Sequence, residues 1–546
     1  MQETIVTITP PSSDLNFASY LLDLNAGRGD KLAFIDDTRR LTYGQLGDRI
    51  RQFAGVLRDL GVRREERVLL LMHDTIDWPV VFLGSLYAGV VPVAVNTLLT
   101  ADDYAYILAH SRSRAAFVSG ALLDTLKQAM ASGPNQVEHI VVSQPVADNN
   151  VAESNVADNN RSVPALHEFE ASMAAAAPRA QAARTLADEI AFWLYSSGST
   201  GRPKGVVHSH CNLWYTAELY AKPVLGITEN DITFSAAKLF FAYGLGNGLT
   251  FPLSVGATSV LMAERPTPAA TYARIVDHQP TIFFGVPTLY ASMLAHTAIP
   301  ARSDVALRVC ASAGEALPQD IGDRFTQHFG CEILDGIGST EMLHIFLSNH
   351  SGKVRYGTTG LPVQGYEVEL RDENGKPVGD GEIGDLYIRG PSAAVMYWNN
   401  REKTRQTFLG DWLKSGDKYQ RDADGYYTYA GRSDDMLKVS GLYVSPVEVE
   451  NVLSQHPAVL EAAVVGLTDS DGLVKTKAYV VLCQGNEPSV AMQETLKQFV
   501  KAHLAPFKYP RYIEFVDDLP KTATGKIQRF KLRQAQEAVA HPGAAA

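Results

Sequence analysis

Short β-branched runs alternate with longer amphipathic stretches along the chain. Arg67–Met72, Ala115–Val118, His139–Val142, Ser259–Met262, Thr281–Phe284 and Leu307–Ala311 read as strands. Between them, Tyr43–Leu60 and Pro268–His278 carry apolar residues at helical spacing. Strands alternating with helices predict right-handed βαβ units and a largely parallel sheet, whose ligands bind beyond the carboxyl ends of the strands. Two stretches, Trp78–Thr100 and Leu239–Met262, lack charge for more than twenty residues, long enough to be considered as membrane spans. The first holds Pro79, Gly84, Gly89, Pro92 and Asn96, and the second Gly244, Gly246, Gly248, Pro252 and Gly256. That turn chemistry predicts buried helix–turn–strand segments of a large α/β core instead.

The pattern changes twice. Val146–Asn150 and Val156–Asn160 repeat the pentapeptide Val-Ala-Asp-Asn-Asn. Units of five residues are too short for a solenoid, so this reads as slippage in a tolerant surface loop. Val363–Arg389 reads as a small β region. Past Gly431 a compact α/β unit restarts, with helices at Val447–Leu453 and Val490–Leu504 and strands at Val459–Val465, Ala478–Leu482 and Tyr512–Phe515. The expected fold is therefore α/β: a large N-terminal domain of βαβ units with a small β region (1–432), then a small mobile α+β C-terminal domain (433–546). The boundary falls within Gly431–Asp434.

With 546 residues, one hydrophobic core is exceeded, in line with two domains. A formal net charge of −11 argues against nucleic acid and anionic lipid as partners. It leaves room for an anionic ligand held by backbone amides and a lysine. Cys211, Cys310, Cys331 and Cys483 form no C-x-x-C pair, and no basic-then-apolar leader opens the chain. Both features predict a cytoplasmic enzyme with reduced thiols.

The candidate chemistry begins at Tyr195-Ser-Ser-Gly-Ser-Thr-Gly-Arg-Pro-Lys-Gly205, set between the apolar runs Ile190–Leu194 and Gly205–His208. Glycines permit close approach to phosphate, hydroxyls supply donors, and Lys204 supplies charge. Pro203 and Gly205 flank that lysine, so this is not the G-x-x-x-x-G-K-[ST] loop. The segment resembles the signature of the acyl-adenylate-forming superfamily, which includes acyl-CoA synthetases, peptide synthetase adenylation domains and firefly luciferase. Further family elements follow in order. Ser312-Ala-Gly-Glu-Ala-Leu-Pro318 resembles the adenine-side loop, Asp335-Gly-Ile-Gly-Ser-Thr-Glu341 the Y-G-x-T-E element, and Ser415-Gly-Asp417 the T-G-D element. Gly431–Gly441 resembles the hinge, and Pro520-Lys-Thr-Ala-Thr-Gly-Lys526 the catalytic-lysine motif.

The resemblance implies an ATP-binding set of Ser196, Ser197, Gly198, Ser199, Thr200, Gly201, Lys204, Gly314, Glu315, Asp335, Gly336, Ile337, Asp417 and Arg432. Thr340 is implied at the α-phosphate, Glu341 on Mg²⁺, and Asp417 on the ribose hydroxyls. Ile337 stands where the family has an aromatic residue. Lys526 is implied as the catalytic cation, Asp434 as the hinge, and Lys438 and Gly441 as part of a coenzyme A tunnel. The C-terminal domain is expected to rotate between the two half-reactions. Lys526 also lies in a context similar to that acetylated in bacterial relatives, which implies a lysine acetyltransferase as a partner.

Lys238-Leu-Phe-Phe-Ala-Tyr-Gly-Leu-Gly-Asn247 falls where the family has its aromatic gate and acyl pocket. Phe241 is implied as the gate, with Ala242, Tyr243, Gly244, Ala313, Gly336, His344 and Ile345 around the acyl group. An apolar slot with small residues suits an aromatic ring, and no carboxylate is present to bind an amino acid's ammonium. The run is also similar to that of bacterial benzoate–CoA ligases. A small aromatic acid is therefore the expected substrate, with ATP, Mg²⁺ and coenzyme A. Hydroxybenzoate, aminobenzoate and medium-chain fatty acids remain alternatives, as does a non-catalytic nucleotide-binding regulator. Monomer and homodimer are both open.

Overall fold

Local signals set the elements that frame the cleft. Thr42 caps the helix Tyr43–Asp59 in a capping box with Gln45, and Leu46, Ile50, Phe53 and Leu57 face the core at helical spacing. Thr267 caps Pro268–His278, where Pro268 supplies the preset first-turn φ. The helix Asp77–Ala88 is buried on every side, so it shows no amphipathic period. It turns into the strand Val91–Ala94, and Leu239–Met262 folds as short helical turns followed by the strand Thr258–Val260. Among the described residues no helix is long and apolar enough to cross a membrane.

This computed structural model describes residues 9, 11–144, 164–196, 202–433, 435–439, 442–468, 474–504, 508–521 and 527–540. The pentapeptide repeat lies outside them. Two large mixed sheets form the N-terminal body. One has eight strands, with Val91–Ala94, Arg67–Leu71, Ala115–Ser119, His139–Ser143 and Ala165–Glu168 running parallel. The other has nine, with a parallel centre of Thr258–Val260, Ile232–Ser235, Ile282–Gly285, Val309–Ser312 and Ile333–Gly338.

The expectation of a largely parallel sheet needs one refinement at the site itself. Ile190–Ser196 and Lys204–Ser209 pair antiparallel, so the strand before the phosphate-type segment is followed by an antiparallel strand rather than by a helix. Ile345–Ser348 likewise returns antiparallel on Ile333–Gly338. The small β region is also larger than Val363–Arg389. It is a five-stranded antiparallel sheet that includes Trp412–Arg421 and Tyr427–Arg432. Beyond it lie a two-stranded hairpin, Leu437–Val439 with Leu442–Val444, and a three-stranded sheet of Val459–Thr468, Val474–Leu482 and Tyr512–Phe515. The last is covered by Pro446–Ser454 and Val490–His503 around Val449, Leu453, Val464, Val480, Leu496 and Val500. The fold is a large N-terminal domain of mixed α/β sheets and a smaller C-terminal domain.

Candidate active site

Three strand ends converge on one cleft. Ser196 ends the strand Ile190–Ser196, and Lys204 starts the strand that returns beside it. Ala313, Gly314 and Glu315 follow Val309–Ser312, while Asp335, Gly336 and Ile337 lie on Ile333–Gly338 and feed the turn holding Thr340 and Glu341. Parallel strands deliver these loops to the carboxyl edge, as ligand sites in such sheets require.

Glu341 is the centre of the polar half. Its Oε1 accepts from Tyr397 Oη at 2.7 Å and from Ser196 Oγ at 3.4 Å, and Lys204 Nζ stands 4.0 Å away. Lys204 also lies over the Tyr397 ring, 4.6 Å from its centroid. Burial, then the neighbouring Lys403 and Arg432, lower the Lys204 pKa against the opposing pull of Glu341. A group of cations this close together favours an incoming polyanion. Burial and the Glu341 carboxylate together push the Tyr397 phenol above its ordinary range, so it stays a donor.

A second network holds Thr340. His208 Nε2 lies 2.8 Å from the Thr340 carbonyl oxygen, which can only accept, so Nε2 carries the proton. Asn212 Nδ2 donates to His208 Nδ1 at 2.9 Å and to the Ser392 carbonyl at 3.0 Å. Burial lowers the His208 pKa to about 4, fixing the neutral ring and this tautomer. The strand that leaves the phosphate-type loop thereby fixes the turn bearing Thr340 and Glu341.

Asp417 and Arg432 face each other across paired strands, with Arg432 donating to Asp417 Oδ1 at 3.0 Å. Asp335 is enclosed: Leu317 N–H donates to Oδ2 at 3.4 Å, while Oδ1 has no hydrogen-bond partner. Burial pushes that carboxyl up to about 8.

The acyl-side residues lie at a seam between two apolar clusters. Phe241 and Ala242 pack with Leu239, Phe240 and Leu343, whereas Tyr243, Ala313, Ile337 and Ile345 pack with Tyr220 and Phe251. Gly244 is required by close approach, because a Cβ there stands 2.1 Å from the Lys238 carbonyl oxygen. Ile337 joins this apolar packing and pairs opposite Leu347.

Several residues named from the sequence lie outside the described residues: Ser197, Gly198, Ser199, Thr200, Gly201, the hinge residue Asp434, Gly441 and Lys526. Lys438 sits on the strand Leu437–Val439. The ends of the segment 522–526 are nonetheless fixed. Lys521 and Ile527 form an antiparallel bridge, and Gln528 N–H donates to the Pro520 carbonyl at 2.7 Å. Arg529 pairs with Glu450 at 2.5 Å and lies 3.8 Å from Asp435, which Arg533 also reaches at 2.7 Å. Buried charges of this kind persist only when paired.

Sequence reasoning missed Tyr397, His208 and Asn212. Tyr397 is 56 residues beyond Glu341 and belongs to no motif. His208 ends the run Gly205–His208, which was read only as an apolar flank of the phosphate-type segment.

Residues 23–398 match the AMP-binding enzyme family, and residues 448–526 match the AMP-binding enzyme C-terminal domain. The chain is 55% identical to a benzoate–CoA ligase of Thauera aromatica, covering 96% of this chain and 98% of that protein. It is 46% identical to a 4-hydroxybenzoate–CoA/benzoate–CoA ligase of Rhodopseudomonas palustris, covering 96% of this chain and 95% of that one. The crystal structure of a benzoate CoA ligase from Burkholderia xenovorans superposes with a TM-score of 0.87 at 64% identity, over 95% of this chain and all of that one (100%). With a carboxylate, hydroxyls and cations gathered at the ends of the strands and buried aromatic side chains beside them, the chain belongs to the AMP-binding enzyme family.

Proposed function

We propose that this chain is an ATP-dependent aryl acid–CoA ligase whose substrate is benzoate. Benzoate attacks the α-phosphorus of ATP to give benzoyl-adenylate and pyrophosphate. The coenzyme A thiol then attacks the acyl carbon, giving benzoyl-CoA and AMP. The observation that carries this reading is the direct succession Thr340-Glu341-Met342-Leu343-His344-Ile345. One short segment carries Glu341, which meets Ser196, Tyr397 and Lys204, and four residues on Ile345, in the apolar cluster that also holds Tyr243 and Ile337. Relatives named for benzoate and 4-hydroxybenzoate activation support the aromatic choice.

Each side chain has a task that its surroundings fit. Lys204 and residues 197–201 receive the phosphates, Thr340 the α-phosphate, and Asp417 the ribose hydroxyls, with Gly314, Glu315, Asp335, Gly336 and Ile337 around the base. Mg²⁺ fits the donor set at Glu341, where the nearest groups are oxygens of Ser196 and Tyr397. A hard cation of this kind binds through one carboxylate and nucleotide phosphates. Among the described residues no cluster of three His, Cys, Asp or Glu side chains is placed to hold a metal ion. Bound there, the ion neutralises phosphate charge. Lys526 stabilises the charge gathering at phosphorus, an interaction stronger in the transition state than in the ground state. Rotation about Asp434 then exchanges Lys526 for the face bearing Lys438 and Gly441.

The test is acid-dependent consumption of coenzyme A with benzoate, hydroxybenzoates, aminobenzoates and medium-chain fatty acids. Benzoate is expected to give the highest kcat/KM. A fatty acid exceeding every aryl acid overturns the substrate assignment. Acetylation at Lys526 by a lysine acetyltransferase removes its charge and is expected to suppress adenylation; full activity of the acetylated protein refutes that control. The four free thiols support a reducing, cytoplasmic setting.

A further inference from the structure

The turn that carries Thr340 and Glu341 holds a conformation that its own sequence disfavours. Leu343 is buried and has a φ of +64°. His344 N–H donates back to the Met342 carbonyl at 2.8 Å, closing a three-residue turn around Leu343. Turns of this size with positive φ at the centre are rare and strained, and a bulky side chain adds to the cost. Such a residue persists where its surroundings over-determine it, most often at a functional site.

The surroundings do so at three consecutive carbonyls. His208 Nε2 donates to the Thr340 oxygen at 2.8 Å, Ala394 N–H to the Glu341 oxygen at 2.7 Å, and Ser392 Oγ to the Met342 oxygen at 2.8 Å. His208 stands 132 positions from Thr340, and Ser392 stands 50 from Met342.

The two supporting segments are also tied to each other. Val395 N–H donates to the Val207 carbonyl at 2.8 Å, and Met396 and Tyr397 pair antiparallel with Val207 and Val206. Asn212 Nδ2 links the remaining corner: besides His208 Nδ1, it donates to the Ser392 and Ala393 carbonyls, at 3.0 Å each. Ser209 Oγ donates to Asn212 Oδ1 at 2.6 Å and so sets the direction of the amide. Tyr366 Oη donates to Ser392 Oγ at 2.7 Å, because the hydrogen of that oxygen is directed at Met342. The His208 ring lies on Phe192, with centroids 5.1 Å and planes 15° apart. Hydrogen bonds thus run in a closed circuit, from Thr340 through His208, Asn212 and Ser392 back to Met342. All three of these side chains are buried, and their bonds to the turn go to main-chain carbonyls.

We propose that His208, Asn212 and Ser392 are positioning residues for adenylate formation: their circuit clamps the strained turn at Leu343 and so aims Thr340 and Glu341 at the α-phosphate and its cation. This rests on the adenylate-forming role proposed for Thr340 and Glu341.

The experiment measures two half-reactions of the full chain. One is exchange of labelled pyrophosphate into ATP with benzoate and Mg²⁺; the other is benzoyl-CoA formation from supplied benzoyl-adenylate. His208→Phe keeps an aromatic ring on Phe192 and removes the donor to Thr340, whereas Ser392→Ala removes the donor to Met342. Each is expected to lower exchange at saturating ATP roughly 10- to 100-fold, the scale of a small misplacement at the reacting atoms, with the KM for ATP changing less than about threefold. Thioester formation from supplied adenylate involves neither the cation nor the leaving pyrophosphate, and is expected to stay within about threefold of wild type. The double variant is expected to lose little more than the worse single one, because both act on one turn. A merely structural role lowers both half-reactions together, so a parallel fall overturns the proposal. Exchange within about threefold of wild type in both variants overturns it too, as does a double variant whose losses multiply. Should His208→Phe fail to fold, Ser392→Ala alone is read on the same split between half-reactions. Failure of the underlying reading looks different: wild type then supports no exchange with any aryl acid, and the positioning role falls with it.

Discussion

The two halves of the cleft solve opposite problems. Around Glu341, polar atoms meet one another: a tyrosine hydroxyl, a serine hydroxyl and a lysine lie within 4.0 Å of one carboxylate oxygen. A few residues along from Glu341, His344 lies instead among Tyr243, Tyr220 and Phe251, its ring 5.5, 5.1 and 4.5 Å from theirs. In the first half the described polar groups around Glu341 are paired with one another. The second is walled by apolar and aromatic side chains, with few polar groups among them.

Changes that break the nucleotide half should have the largest effects. Lys526→Ala is expected to lower adenylation by about 10²–10³-fold, typical of losing one preorganised donor, while thioester formation from supplied benzoyl-adenylate persists. Equal loss of both half-reactions, measured separately, contradicts the division of labour. Asp434→Pro restricts φ at the hinge, and is expected to cut thioester formation at least about tenfold while pyrophosphate exchange continues. Tyr397→Phe removes one hydrogen bond to a carboxylate, worth about 1.5–3 kcal/mol. It should lower the adenylation rate roughly tenfold and raise the Mg²⁺ concentration needed for half-maximal activity.

The smallest effect concerns stability. The enclosed Asp335 carboxyl is raised from an ordinary value near 3.8 to about 8 in the fold. A carboxyl raised on folding favours the native state at low pH, and that advantage is lost as pH rises toward 8. The loss is about 1.4 kcal/mol per pH unit at most. The apparent Tm of the wild type should therefore decline between pH 6 and 8.5, and Asp335→Asn should flatten that decline. Parallel melting curves refute the assignment.

Much of this was legible in the residues, for identifiable reasons. Phosphate chemistry leaves dense local signals, so Ser196, Lys204, Thr340, Glu341 and Asp417 stood out within short motifs. Strands such as Tyr512–Phe515 and the helix Pro268–His278 have a single buried face or clear caps, and their limits agree with the structure. The antiparallel pairing of the strands on either side of the phosphate-type segment was not legible, because an apolar run does not reveal strand direction. Tyr397, His208, Asn212 and Ser392 were hidden because their roles depend on contacts between distant segments. His208 meets Thr340 across 132 positions, and Ser392 meets Met342 across 50. No periodicity encodes such meetings.

The most direct measurement is exchange of labelled pyrophosphate into ATP by the purified chain with Mg²⁺ and no coenzyme A. Exchange that appears on adding benzoate, and vanishes in Lys526→Ala, is the expected result. Purified, folded protein that supports no exchange with benzoate or any other aryl acid contradicts adenylate formation at this site.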